Sequence, residues 1–380
     1  MLAIQMNTVA VGYAAFVLSG SAAALGGVSL AVGLPMLVLA LVGGVVADRA
    51  PRRAILVGTQ TTLGLSAAAI AALALTGHLA IWHLYLLGFT QGTAFAFNMP
   101  ARQAFIAELV RPEFLRSAIT LNNATMNFAR IFGPALAGAL LALPELGLGG
   151  VFVAIAGMYV FVLLTLIRLP QGQVVAPLRE RGGWEQLVAG LAYIRNNGSL
   201  LALLTLGFVP LFFGMPYQTL LPVFAERVHG TGSIGLGLMN AAVGAGALIG
   251  SLVLAVSTRI GGLGRLQILL GVGFGVSLIA FGLAPSFEVA MVALGLVGFT
   301  FAGYAAANQT LVMEQTDREY HGRVMSVYLM SFGLLPVATF PQAWAADHIG
   351  APAMVAMAGA IAASGVVLTA LLMPSYRRMG

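Results

Sequence analysis

Neither cysteine nor lysine occurs anywhere in this chain, and each absence removes a class of chemistry. Without cysteine there is no thiol nucleophile, no thiolate metal site and no disulfide framework. Without lysine there is no phosphate-loop lysine and no Schiff base. The histidines, His78, His83, His229, His321 and His348, are scattered, and none forms the HExxH pair of a zinc hydrolase. With no nucleophile–base pair and no metal-ligand set, the expectation is a protein that is not an enzyme and uses no cofactor and no metal.

Charge is scarce as well. Only 8% of residues are charged while 59% are hydrophobic, against about 25% charged in soluble domains. A globular core does not need so many apolar side chains, so much of the surface must face lipid. The formal net charge is +6, and all eighteen basic residues are arginine. They lie in short clusters between apolar runs, a pattern that orients membrane proteins rather than one that binds nucleic acid. GAGALIG, Gly244 to Gly250, has the glycines of a phosphate loop but lies inside an apolar run, where small residues let helices pack closely.

A spanning helix needs about 20 largely apolar residues. The pattern predicts helices at 2–18, 22–47, 54–76, 81–101, 117–143, 149–169, 199–225, 234–257, 266–284, 288–310, 324–345 and 352–373. The expected architecture is an all-α membrane protein of twelve spans in two six-helix bundles, 1–169 and 199–380. A polar insert at 170–198 joins them and carries an amphipathic helix from Trp184 to Ile194. Alternate loops hold Arg49, Arg52, Arg53, Arg102, Arg111, Arg116, Arg168, Arg179, Arg181, Arg195, Arg259, Arg265, Arg318, Arg323, Arg377 and Arg378, and the opposite side holds only Arg227. The positive-inside rule then puts both termini and the insert in the cytoplasm of a multi-pass inner-membrane protein. Nothing basic precedes the first apolar run, so no secretory signal peptide is expected. A weak repeat relates the halves: Ala101-Arg102-Gln103 with Glu108 recurs as Ala307-Asn308-Gln309 with Glu314, each at the cytoplasmic end of a fourth helix.

The densest charge cluster is GGVVADRAPRR, Gly43 to Arg53, in the turn between helices two and three. A positive-inside anchor explains its arginines. It does not explain Asp48, a carboxylate at the end of a helix whose dipole opposes it. The sharper reading is a conformational latch in which Asp48 lies near Arg102 and near the start of helix eleven, around Gly322 and Arg323.

The run Gly44-Val-Val-Ala-Asp48-Arg49-Ala-Pro-Arg52-Arg53 resembles the signature loop of the major facilitator superfamily. Helix five carries Ala129-Arg130-Ile-Phe-Gly133-Pro134-Ala-Leu-Ala-Gly138, which resembles that superfamily's antiporter motif. PARQAFIAELV (Pro100 to Val110), LNNATMNFARIFGPALAG, WEQLVAGLAYIR and LLPVFA (Leu220 to Ala225) resemble the branch containing the enterobactin exporter and macrolide efflux proteins. The likeness implies the two-bundle fold, a latch built on Gly44, Asp48, Arg49, Arg52, Arg53 and Arg102, and drug efflux with protons as the coupling ion. Three positions depart from the pattern. The first helix is expected to be truncated, short of roughly its first half relative to relatives. Gly88 stands where the fourth-helix motif has arginine, and STRIGGLGR (Ser257 to Arg265) lacks the aspartate of the first-half loop.

Polar residues inside spans are costly and face the bundle interior. Asn123, Asn127 and Arg130 share one face of helix five, Gln91, Asn98 and Arg102 one face of helix four, and Thr300, Tyr304 and Asn308 one face of helix ten. Asn7, Gln218 and Asn240 add isolated groups. Helix packing is the better explanation of any single asparagine, but the three stripes together point to a polar cavity, and the expected substrate cavity is Asn7, Gln91, Asn98, Asn123, Asn127, Arg130, Gln218, Asn240, Tyr304 and Asn308. No carboxylate is expected at the midplane, so proton coupling is implied by the resemblance and not by the residues. Three functions fit. One is a secondary exporter of small amphipathic molecules working by alternating access, as a monomer in the lipid bilayer. The second is a facilitator or importer of an anionic metabolite, with Arg130 as counter-ion. The third is a receptor or scaffold that kept the fold and lost transport.

Overall fold

The computed structural model describes residues 1–143, 145–170, 192–257, 262–317 and 320–372, and these are helical with no strand among them. The chain forms two compact units, Met1–Glu180 with Gly230–Leu238, and Arg181–His229 with Met239–Gly380.

The first unit holds α1 (Leu2–Ser19), α2 (Ala22–Arg49), α3 (Arg52–Leu75), α4 (Ile81–Leu109), α5 (Leu115–Leu141) and α6 (Gly147–Arg168). The break between α1 and α2 is built from Gly20, left-handed at φ 64°, and Ser21, whose side chain accepts from the Ala24 N–H. Helix α4 runs well past the end expected from the sequence, straight through Pro100. Proline lacks the N–H that would bond the Ala96 carbonyl. Gly43 of α2 packs against that carbonyl so closely that a Cβ there would overlap it. Gly92 of α4 presses in the same way on the Val32 carbonyl of α2. Helices α2 and α4 thus touch backbone to backbone, as small residues allow in membranes.

The second unit begins with a long broken span, Gly198–Val228. It contains α7 (Gly198–Val209), a π turn at Pro210–Gly214, α8 (Tyr217–Val223) and a second π turn at Phe224–Val228. Pro210, Pro216 and Pro222 each remove a helical N–H, which accounts for the interruptions. Then follow α9 (Gly232–Ser257), whose first turns to Leu238 belong to the first unit, α10 (Leu263–Gly282), α11 (Phe287–Glu314), α12 (His321–Gly333), α13 (Leu335–Ile349) and α14 (Ala351–Leu372). Gly298 of α11 presses on the Val243 carbonyl of α9 as Gly92 presses on Val32. Gly92 and Gly298 stand at the same offset as the two Ala-X-Gln stretches, so the repeat extends from sequence to helix crossing.

Among the described residues, nine helices are long and apolar enough to cross a membrane. Helices α4 and α5, of 29 and 27 residues, are long enough but more polar, and α12 with α13 is one stretch broken at Leu334. The set is consistent with twelve spans. The described chain is helical again over 192–196; most of the insert, including the start of its expected amphipathic helix, lies outside the described residues.

Candidate functional site

The arginine-rich turn organises one end of the first unit. Arg52 starts α3, where the helix dipole disfavours a cation. Its guanidinium forms an ion pair with Glu108 on the extended end of α4 and also reaches the carbonyls of Ala47, at 3.4 Å, and Ala104, at 3.5 Å. The two side chains are only 19% and 11% exposed, so water screens the pair little. Arg53 donates to the carbonyls of Leu166, at 3.1 Å, and Ile167, which are among the last of α6. A cation capping orphan carbonyls is the favourable end of that helix dipole. The turn therefore ties α3 to both α4 and α6. Behind it Ala47, Leu56, Ala101, Phe105 and Leu166 form an apolar cluster. Glu108 as the partner of Arg52 was hidden in the sequence because helix four was expected to stop at 101.

Arg102 points toward the start of α1: its Nη1 lies 2.9 Å from Met1 Sδ, a weak acceptor, and its Nε is buried without a partner. Arg49 is exposed in the last turn of α2. The side chain of Asp48 and all of Gly322 beyond its place in α12 lie outside the described residues, and so does the latch contact expected between them.

The expected cavity residues divide into three groups. The first is buried and engaged with neighbours. Asn7 Nδ2 donates to Gln91 Oε1 at 3.0 Å, joining α1 to α4, and Asn98 Nδ2 donates to Thr59 Oγ1 at 2.7 Å, joining α4 to α3. In the second unit Gln267 Nε2 donates to Asn308 Oδ1 at 2.6 Å, and the Tyr304 hydroxyl donates to the Leu206 carbonyl. Asn308 is fully buried, and a Cβ on Gly207 would come within 2.7 Å of its Nδ2. The second group is accessible: Arg130 and Gln218 are exposed and Asn240 is half-buried. The third, Asn123 and Asn127, have side chains outside the described residues. Thr59 and Gln267 went unnoticed in the sequence, although each is a polar residue inside a span with a partner on the next helix. Gln342 also went unnoticed; its Nε2 donates to the Phe212 carbonyl at 3.2 Å.

Helix α5 changes character along its length. From Ala129 onward one face is buried, through Gly133, Pro134, Ala137, Gly138 and Leu141. From Leu115 to Phe128 none of the described side chains is buried. Gly133 packs on α1, where a Cβ would come 2.6 Å from Gln5 Cβ. Gly138 packs on the first turns of α9, where a Cβ would come 2.7 Å from both Gly237 Cα and the Ser233 carbonyl. The antiporter-like motif is thus two close-packing glycines around a proline, with Arg130 at the point where the packed half gives way to the exposed half.

No group of three histidine or acidic side chains able to hold a metal occurs among the described residues.

Comparison with known proteins agrees over nearly the whole length. A family model described as transmembrane secretion effector matches residues 2–378. Macrolide efflux protein A of Streptococcus pyogenes is 26% identical over 340 residues, which cover 87% of this chain and 83% of that protein. Enterobactin exporter EntS of Citrobacter koseri is 28% identical over 303 residues, 78% of this chain and 70% of that protein. Among solved structures, a bacterial homologue of the human lysosomal transporter Spinster superposes with a TM-score of 0.72 at 15% identity, covering 100% of this chain and 96% of its own. A D-xylose–proton symporter superposes at 0.66 and 16% identity, covering 98% and 96%.

Proposed function

The chain belongs to the transmembrane secretion effector family of the major facilitator superfamily, and from that membership we propose that it exports small amphipathic molecules across the inner membrane by alternating access. It is a multi-pass membrane transporter and not an enzyme. The observation that carries the export reading is the likeness, along most of both chains, to a macrolide efflux protein and an enterobactin exporter. Substrates of the same broad kind, bulky molecules with apolar and polar faces, are the proposed cargo, and protons are the proposed coupling ion.

The proposed division of labour is a bundle over 1–169, a cytoplasmic insert over 170–198 and a bundle over 199–380, with both termini in the cytoplasm. In it, Asp48 with Arg49, Arg52, Arg53 and Arg102 forms the latch that steadies one end state. The Arg52–Glu108 pair and the Arg53 cap support this by making the turn a rigid platform rather than a loose loop. Asp48→Asn is expected to slow transport and shift gate populations without unfolding the protein; unchanged populations in distance measurements would remove the latch.

Of the expected cavity, the accessible members Arg130, Gln218 and Asn240 are the proposed substrate contacts. Asn7, Gln91, Asn98, Tyr304 and Asn308 hold the helices around them. The test is drug accumulation. Cells expressing the chain should hold less macrolide than cells without it, and an uncoupler should abolish the difference.

A further inference from the structure

A cluster of ring and hydrogen-bond contacts that the transport reading leaves without a role lies where the polar insert rejoins the second unit. Ile194 is 4% exposed and sits in the unit's core with Leu200, Leu203 and Val324. Beside it the Tyr193 ring stacks on Tyr320, with centroids 4.1 Å apart and planes 9° from parallel. The Tyr193 hydroxyl donates to Asp317 Oδ2 at 3.0 Å and accepts from the Asp317 N–H at 3.2 Å. The Arg323 guanidinium carbon lies 4.8 Å from the Tyr320 ring centroid, within cation–π range. The His321 ring bonds the Thr316 carbonyl at 2.8 Å. One helical turn beyond Tyr193, Asn197 caps α7 by accepting from the Leu200 N–H at 3.1 Å.

These contacts join two stretches far apart in sequence: the end of the insert with the start of α7, and the short turn from the end of α11 to the start of α12. Tyr193 reaches both sides of that turn, Asp317 and Tyr320, at once. Its ring supplies area to Tyr320, and its hydroxyl acts as both donor and acceptor for Asp317. Phenylalanine gives only the first and serine only the second. We propose that Tyr193 is a positioning residue which clamps the end of the insert to the turn between α11 and α12, so that the cytoplasmic ends of α7, α11 and α12 move as one body. The proposal rests on the transport reading for its purpose. In a cycle that moves helix ends, a clamp makes residues 192–197 and the start of α12 move together.

The clamp itself is tested without any substrate. Amide hydrogen exchange is compared in the purified full-length chain and its Tyr193→Ala, Tyr193→Phe and Asp317→Asn variants. Loss of the stack should speed exchange in Tyr193→Ala about tenfold, in 192–197 and in 316–324 together. Tyr193→Phe and Asp317→Asn, which keep the stack, should give a smaller rise in the same two segments, and these milder variants decide the matter should Tyr193→Ala fail to fold. Faster exchange confined to 192–197, with 316–324 unchanged, would overturn the clamp. The same proteins in liposomes loaded with a macrolide should show slower turnover at unchanged KM in Tyr193→Ala, with recovery in Tyr193→Phe. If the parent moves no macrolide the transport reading fails, while the exchange pattern still decides the clamp.

Discussion

Arg52 and Arg130 show how differently one residue type behaves in this chain. Arg52 sits among carbonyls and a carboxylate with little exposure. Removing Glu108 leaves its charge half-buried and short of a partner, which costs up to about 3 kcal/mol. Glu108→Gln should therefore lower the melting temperature of the purified protein, and the exchange Arg52→Glu with Glu108→Arg should recover part of the loss. A Glu108→Gln protein that melts like the parent would show the pair to be ornamental. Arg130 is exposed, so its replacement should leave folding alone. Arg130→Gln is expected to weaken binding of anionic substrates more than neutral ones, read as separate Kd values on folded protein. Equal binding of both kinds would remove Arg130 from the substrate contacts. The two arginines were separable in the sequence only by position, one in a turn and one inside a span. The partner of Arg52 was not legible, because helix four was expected to stop at 101, short of Glu108. Pro100 is instead absorbed within α4, its unbonded Ala96 carbonyl covered by the bare backbone of Gly43. Likewise the polar stripes of helices four and ten were visible as stripes. Whether they open on a cavity or close on a neighbour depends on the facing helix, and the single sequence does not say that Asn98 meets Thr59.

At the scale of elements, α2 with α4 and α9 with α11 meet through glycine against backbone. Gly92 and Gly298 lie directly on carbonyls of the helix they cross. An added methyl has nowhere to go but to push two backbones apart, at about 1–3 kcal/mol of overpacking. Gly58 and Gly157 are also helical but have open space around their Cα. Alanine there meets nothing and removes the helix penalty of glycine, about 1 kcal/mol. Gly92→Ala and Gly298→Ala should each lower the melting temperature, whereas Gly58→Ala and Gly157→Ala should hold or raise it. A uniform response from all four would refute the backbone-contact account. The existence and rough extent of these helices were readable from apolar run length alone. The π turns and the break at Leu334 were not, since proline position gives the chance of an interruption but the tertiary surroundings decide its form. Gly138 belongs with the close-packing set: Gly138→Leu should force α5 off the first turns of α9 and impair transport more than a lipid-facing change such as Phe161→Ala.

For the whole molecule, the repeat and the arginine asymmetry carry the most. Gly92 and Gly298 make matching crossings in the two units, as expected of halves descended from one ancestor. Sixteen of the eighteen arginines fall on one expected side, so both termini should face the cytoplasm. A tag after Gly380 should stay hidden from antibody in intact cells and become visible on permeabilisation; labelling of intact cells would reverse the orientation. Fold class and family were legible from composition, span count and two motifs. Substrate was not, because a single sequence does not say which polar side chains the facing helices leave uncovered. The most direct test of the export account is macrolide content in cells that express the chain against cells that do not, measured with and without an uncoupler. The account predicts lower steady-state macrolide in expressing cells and loss of that difference when the gradient collapses. Equal or higher macrolide in energised expressing cells would contradict it.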